Sequence, residues 1–187
     1  SHFITPAAPS MSAPMELTFR GPWTSETAES PNPFLDYRLN VTMRGPGGRA
    51  YIIAGFFDAD GADGDVGNFW KVRFTPPVTG QWTATASMRF GAGVAIDLSP
   101  GAGTRLTPVD GRVATFQVGG VRGDERGFYR VGKLAASGKH YRKFENGSYF
   151  LKAGTNGPEN FLAIRACDDA TKSGGEGLMH SYAPHRA

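Results

Sequence analysis

The sequence predicts an all-β fold in which two antiparallel sheets pack face to face as a β-sandwich. Several short segments alternate apolar and polar residues, which is the pattern of strands that bury one face. The 187 residues include 26 Gly and 13 Pro, which favours many short strands joined by turns over long helices. The predicted strands recur at the spacing of about 8–12 residues that is typical of sandwiches.

The first three predicted strands lie in the N-terminal third of the chain. Residues 15–19 alternate, and residues 37–43 alternate more clearly, with apolar side chains at every second position from Tyr37 to Met43. Residues 49–57 are apolar enough to predict a strand that is buried on both faces.

Three further strands are predicted in the middle of the chain. Residues 69–74 alternate so that Trp70 and every second residue after it share one face, which places Trp70 in the core. Residues 81–90 follow a Pro-rich turn, and Trp82 is expected to close an end of the sandwich from inside. Residues 113–118 alternate again.

The character of the sequence changes at Gly119-Gly120, which predicts a domain boundary. We expect residues 1–14, rich in Pro, Ala and Ser, to be a linker or a processed N-terminus. Residues 15–120 form the predicted sandwich, and residues 121–187 a separate C-terminal segment.

Two short elements are predicted in that C-terminal segment. Residues 127–131 are a candidate strand. Residues 141–144 and 148–154 predict a hairpin, because the Asn146-Gly147 pair between them is a strong signal for a tight turn.

Charge and hydropathy argue against two classes of partner. The formal net charge is +3 and no basic run is interleaved with aromatic residues, so no nucleic-acid partner is expected. No apolar stretch approaches the about 20 residues that span a bilayer, so no membrane span is expected. The single cysteine, Cys167, is expected to be a small buried hydrophobe rather than a nucleophile.

A Gly-rich acidic loop is the candidate metal site. Its four carboxylates belong to Asp58, Asp60, Asp63 and Asp65. Calcium takes several hard oxygen ligands from flexible turns, so this loop is a candidate calcium site, although its spacing is not that of an EF-hand. The alternative is a solvated turn in which the Asp side chains cap backbone N–H groups.

Trp23 is the candidate contact for a sugar ring, because the apolar faces of sugars pack on flat aromatic surfaces. It lies in a Gly-Pro-Trp-Thr loop, whereas Trp70 and Trp82 are expected in the core. Arg73 lies between two inward-facing residues and is therefore expected to face outward and pair with a neighbouring strand or the acidic loop.

Three motifs in this order resemble one bacterial domain arrangement. The first is Asn32-Pro33-Phe34, the second runs over residues 55–61 and returns at 70–76 and 80–82, and the third is residues 150–163. Together they are similar to the Ig-like N-terminal domain, of unknown-function type, that precedes glycoside-hydrolase-like (β/α)8 barrels. The resemblance therefore implies an Ig-like sandwich followed by the first strand and loop of a barrel.

The same resemblance implies a sugar site in the third motif. Asn156, Glu159 and Asn160 would lie in the loop after the first barrel strand, and such loops line the active sites of barrels. Amide and carboxylate groups suit hydroxyl-rich ligands. The alternative is that Pro158 and Glu159 simply begin a helix.

The catalytic barrel itself is not expected within this chain, because a barrel needs about 200 residues or more and the 187-residue chain ends soon after Gly120. The resemblance implies a non-catalytic accessory part of a secreted or periplasmic glycoside hydrolase that degrades polysaccharides, with a polysaccharide or oligosaccharide as ligand. The alternative is a free-standing carbohydrate-binding or adhesion module.

A partner is also expected for the C-terminal fragment. Its apolar side chains would otherwise be exposed, so we expect either a missing catalytic barrel or self-association to cover them. The residues concerned are Phe150, Leu151, Phe161 and Leu162.

Overall fold

The computed structural model describes residues 3–4, 8–62, 64–138, 140–153, 164–165 and 180–181. The chain divides into two compact units, Ser1–Ser148 and Tyr149–Ala187. The described residues form strands, turns and two short 3-10 helices, and none of them lies in an α-helix.

Two sheets make up most of the first unit, and every strand pair in them is antiparallel. The strands are β1 (Phe3–Ile4), β2 (Met15–Ser25), β3 (Tyr37–Arg44), β4 (Ala50–Ala54), β5 (Phe56–Phe57), β6 (Val66–Phe74), β7 (Gly80–Phe90), β8 (Thr104–Arg105) and β9 (Val113–Val118). The first sheet has the order β1-β2-β6-β5. The second has the order β4-β3-β7, with β8 and β9 both paired to β7.

The core lies between these two sheets, and each sheet contributes every second residue of its strands to this core. The alternation predicted for residues 37–43 is confirmed, since Leu39, Val41 and Met43 are buried. The alternation from Trp70 onward is confirmed in the same way. The largest buried side chains of the two sheets are Leu17, Phe19, Val41, Met43, Trp70, Val72, Trp82, Met88 and Val118. The all-β sandwich expected from the sequence is therefore confirmed.

The single strand predicted over residues 49–57 is wrong, because the chain changes sheets in its middle. β4 is the edge strand of the second sheet, and Ile52 on it is 72% exposed. Gly55 then donates its N–H to the Leu39 carbonyl at 2.7 Å, and β5 joins the first sheet. A Cβ at Gly55 would lie 2.7 Å from Leu39 Cγ, so the crossover needs a residue without a side chain.

The short strand predicted over residues 127–131 is also wrong, since Gly127–Val131 is a 3-10 helix. Positive φ angles of 57° at Gly127 and 82° at Gly132 curl the backbone at both ends of the segment. The turn predicted at Asn146-Gly147 is confirmed by the hydrogen bond from Phe144 N to Ser148 O, at 2.9 Å. Before this turn, β10 (Leu134–Ala136) pairs with β11 (Arg142–Phe144).

The second unit is described over few residues. It contains β12 (Tyr149–Phe150), β13 (Ile164–Arg165) and β14 (His180–Ser181), of which β13 and β14 pair in parallel. Most of the predicted barrel start, residues 150–163, lies outside the described residues and stays a prediction. Leu151, which we expected to be exposed, is 73% exposed.

A buried tryptophan closes each end of the sandwich. Trp70 packs its ring 5.1 Å from Phe57 and 5.3 Å from Tyr37, and so joins the two sheets. Trp82 lies at the opposite end, 5.1 Å from Phe74, and donates its indole N–H to Val78 O at 3.1 Å. The core positions expected for both tryptophans are confirmed, with exposed fractions of 2% and 1%.

Replacing Gly55 tests the crossover. We expect Gly55→Ala to lower the free energy of unfolding by about 1–3 kcal/mol, because the new methyl group would displace the buried Leu39 side chain. Gly101→Ala is the matched control, since no atom lies within 4 Å of a Cβ there. Urea unfolding followed by tryptophan fluorescence measures both variants, and equal midpoints for the two would contradict this account of the crossover.

Candidate functional site

Four segments meet at the end of the sandwich that Trp70 closes, which we call the loop end. They are residues 20–24 of β2, the acidic loop 58–65, the turn 32–36 and the loop 91–103. The pairing of Ser25 with Val66 sets the end of β2 beside the acidic loop. The pairing of Tyr37 with Phe90 sets the turn beside the last loop. Loops on a rigid scaffold are the usual place for function.

The segment around Trp23 is a bulge in β2. The pairing of β2 with β6 shifts register between Arg20 and Thr24. Inside the bulge, Pro22 O accepts the indole N–H of Trp70 at 3.1 Å. A Cβ on Gly21 would lie 2.6 Å from Trp70 Cδ1, so the backbone packs directly on the buried ring. Trp23 is left pointing outward and is 71% exposed, as the sequence predicted.

The acidic loop is held by its own backbone. Asp60 Oδ1 accepts hydrogen bonds from Ala62 N at 2.9 Å and Gly64 N at 3.2 Å. These two donors lower the pKa of Asp60, because they stabilise the ionised carboxylate. Capping by Asp side chains was the alternative to a metal site, and Asp60 does cap the turn.

The other acidic side chains of the loop do not converge within the described residues. Asp58 pairs with Lys71 Nζ at 2.5 Å, and Asp65 is exposed. Asp63 lies outside the described residues. In the part of the chain that the structure describes, no three His, Cys, Asp or Glu side chains are grouped to hold a metal ion. The calcium site at Asp58, Asp60, Asp63 and Asp65 stays a prediction.

Charged side chains cover the outer face of the first sheet and satisfy one another. Arg73 pairs with Glu16 at 3.1 Å, which confirms the outward ion pair expected for it. Lys71 lies between Glu16 and Asp58, at 3.1 and 2.5 Å. Arg73 also stacks over Phe56, with its guanidinium carbon 4.9 Å from the ring centre. The charged side chains of this face are therefore engaged in ion pairs with one another, so we do not place the candidate site here.

The Asn32 turn is fastened by Asp36, a residue that the sequence reasoning missed. Asn32 Oδ1 accepts the N–H of Phe34 at 2.8 Å, and Asn32 N donates to Asp36 Oδ2 at 2.8 Å. Asp36 Oδ1 accepts the N–H of Gly93 at 3.0 Å, which ties the turn to the loop 91–103. These two backbone donors lower the pKa of the Asp36 carboxyl, the Gly93 bond having the larger effect.

Arg38 orders the loop 91–103, for which the sequence predicted no element. Its guanidinium donates to the carbonyl oxygens of Asp97 at 2.5 Å and Ser99 at 3.1 Å, and to two more in the same loop. The loop consequently presents Ile96 and Leu98 in fixed positions, with exposed fractions of 74% and 97%.

The loop end therefore carries apolar side chains that face outward from an ordered backbone. Below them lies a cavity of about 180 Å³, whose walls include Pro33, Tyr37 and Trp70. The exposed apolar residues of the loop end are Trp23, Phe34, Leu35, Ile96 and Leu98.

The candidate residues from the sequence fall into two groups. Trp23 and the acidic loop lie at the same end of the sandwich, and a hydrogen bond from Glu26 N to Asp65 O at 2.8 Å joins their segments. Asn156, Glu159 and Asn160 lie outside the described residues, so their sugar-binding role stays a prediction. One signal in the sequence could have identified Asp36. It lies four residues after Asn32, and Asn side chains commonly form Asx turns with the backbone that follows them.

Titration of Asp36 tests the turn. Because hydrogen bonds hold its folded-state pKa below the usual value of about 4, ionised Asp36 stabilises the fold above that pH. This contribution is lost as the pH falls through the folded-state pKa. We expect Asp36→Asn to melt at a lower temperature than the parent at pH 7, and the gap to narrow below about pH 4. A difference in melting temperature that stays constant from pH 7 to pH 3 would contradict this role of ionised Asp36.

Residues 12–89 match the model of a family described as Domain of unknown function (DUF5060). No curated protein sequence matches the chain. In the described part of the chain, no helix has the length and hydropathy of a membrane span.

A solved structure from Bacteroides vulgatus ATCC 8482, provisionally named a glycoside hydrolase, is similar to the chain at 23% identity and a TM-score of 0.48. The match covers 75% of this chain but 20% of that protein, so the chain spans about a fifth of its length. The match to the domain of unknown function includes the Trp23 bulge, the Asn32 turn and the acidic loop, so three of the four segments of the loop end belong to the part that is similar to that domain.

Proposed function

We propose that this chain is the N-terminal accessory part of a bacterial polysaccharide-degrading glycoside hydrolase. In this role, residues 15–120 are an Ig-like sandwich that packs on the catalytic barrel and orients it. Residues 121–187 are a connector followed by the first strand and loop of that barrel. The chain alone is not the catalyst, and the parent enzyme works outside the cytoplasm.

The first support is the order of the sequence motifs. Two of the three motifs that resemble the domain ahead of bacterial barrels, residues 32–34 and 55–82, lie inside the segment matched by the domain of unknown function. The third, residues 150–163, follows where a barrel would begin. A domain that precedes a catalytic barrel needs a surface on which to meet it.

The observation that carries the proposal is the apolar surface of the loop end. Trp23, Ile96 and Leu98 are all more than two-thirds exposed, yet hydrogen bonds to Pro22 O and from Arg38 fix the backbone that presents them. Domains that stay alone in water rarely keep apolar patches of this kind, whereas protein interfaces have them. We infer that another domain covers this surface.

The candidate sugar residues belong to this same proposal. If residues 150–163 begin a barrel, Asn156, Glu159 and Asn160 lie in the loop after its first strand. That loop faces the sugar site of a barrel, where amide and carboxylate groups hydrogen-bond to hydroxyl groups. Glu159 is proposed as a binding residue and not as the catalytic acid.

The alternative function is a carbohydrate-binding or adhesion module that acts without a barrel. Its support is Trp23, whose ring is held outward by the bulge and is 71% exposed. A flat indole surface can stack on the apolar face of a sugar ring. The two functions differ in whether the exposed apolar end meets protein or polysaccharide.

An activity comparison tests the accessory role. The 187-residue chain is expected to release no reducing sugar from a panel of plant and algal polysaccharides. The product of the same gene, extended through whatever coding sequence follows Ala187, is expected to release it. Activity in the short chain, or inactivity of the extended product on every polysaccharide, would refute the accessory role.

Affinity gels that contain the same polysaccharides distinguish the free-standing binding module from the accessory role. If one of these gels retards the short chain and Trp23→Ala abolishes the retardation, the free-standing binding module is favoured. Phe34→Ala is the matched control, because it removes another exposed aromatic ring from the loop end.

A further inference from the structure

A second cavity lies at the opposite end of the sandwich, the end that Trp82 closes. Its volume is about 400 Å³, within the range of about 300–1,000 Å³ usual for small-molecule sites. Its lining comes from the turn after β3, the start of β4, the turn before β7 and the segment before β10. The lining residues are Pro46, Arg49, Tyr51, Pro77, Val78, Trp82 and Lys133, with Gly47.

A hydrogen bond and close packing hold the apolar wall of this cavity in place. Trp82 is fixed by its hydrogen bond to Val78 O and by its contact with Tyr51, whose ring centre lies 6.1 Å away. A Cβ on Gly45 would lie 2.5 Å from the Trp82 ring, so the turn after β3 packs directly on the indole. The wall therefore exists before any ligand arrives, which lowers the cost of ordering it on binding.

Both charged residues that line the cavity are basic. Among the described residues, no carboxylate lies within ion-pair distance of Arg49 or Lys133. Glu145, which is near Lys133, is engaged by the backbone, since its Oε2 accepts the Lys133 N–H at 3.2 Å. On the outer face of the first sheet, by contrast, Lys71 and Arg73 have acidic partners. Arg49 and Lys133 therefore lie beside a wall of aromatic and proline side chains. This arrangement suits an anion that also has an apolar face.

We propose that this cavity binds an acidic sugar residue, a uronate, of a polysaccharide. The planar carboxylate matches the fork of the Arg49 guanidinium, and Lys133 adds a second positive charge. The apolar face of the sugar ring packs on the wall formed by Pro46 and Tyr51. That the ligand is a carbohydrate rests on the proposed function, whereas its negative charge follows from the cavity.

The combination of charged and apolar lining residues selects among ligands. An inorganic anion would neutralise Arg49 and Lys133 but leave the apolar wall without contact. A neutral sugar would cover the wall but leave both cations without a partner. A ring that carries a carboxylate uses both features of the cavity at once.

Two cellulose derivatives test the inference, because they differ mainly in charge. Affinity electrophoresis of the 187-residue chain is expected to show strong retardation by carboxymethyl cellulose and little by hydroxyethyl cellulose. Titration with trigalacturonate then measures the dissociation constant. We expect Arg49→Gln and Lys133→Gln each to weaken binding by about tenfold or more, as loss of a charge-assisted hydrogen bond does.

Arg44→Gln is the matched control, since it removes the same charge from an exposed residue near the cavity that does not line it. It is expected to bind like the parent. Equal weakening by all three substitutions would overturn the site in favour of nonspecific attraction. Equal affinity for a sulfated polysaccharide would overturn the assignment to a uronate.

Binding that is the same for both cellulose derivatives and is lost in Trp23→Ala would overturn this inference. Such a result would leave a carbohydrate-binding protein in place. Failure of the proposed function is recognised separately, by the absence of activity in the extended gene product. The two failures are therefore distinguishable.

Discussion

The burial of one indole ring, that of Trp70, sets the shape of the loop end. A buried indole N–H needs an acceptor, and Trp70 finds it in Pro22 O, 3.1 Å away on the neighbouring strand. That carbonyl can reach the ring only because Gly21 has no side chain and β2 bulges. The bulge in turn leaves Trp23 facing water. The most exposed aromatic ring of the sandwich, that of Trp23, thus follows from the burial of the Trp70 ring beside it.

The two ends of the sandwich are built alike but differ in chemistry. Each places glycine backbone directly on a buried tryptophan, Gly21 on Trp70 and Gly45 on Trp82. The loop end surrounds its tryptophan with exposed apolar residues, whereas the opposite end surrounds its cavity with Arg49 and Lys133. The proposed roles follow this difference. An apolar surface suits a neighbouring protein domain, and a basic pocket with an aromatic wall suits an acidic sugar.

Local patterns predicted what depends on neighbours in the chain, and missed what depends on distant residues. Alternation located the inward faces of β3 and β6 because each strand buries only one face. The same pattern could not reveal the change of sheet at Gly55, since the sequence is apolar on both sides of it and the deciding contact is with Leu39. The loop 91–103 has no period, and its order comes from the distant Arg38. A short loop motif predicted that Trp23 is exposed, which the structure confirms, and its role as a sugar contact stays a prediction. Arg49 and Lys133 are too far apart in the chain for any motif to join them.

The central claim is that another protein domain covers the loop end. Hydrogen–deuterium exchange of the 187-residue chain, compared with that of the extended gene product, tests it most directly. The account predicts slower exchange in the extended product over residues 91–98 and around Trp23, with no change around the cavity lined by Arg49. Identical exchange at the loop end in both proteins would contradict the claim.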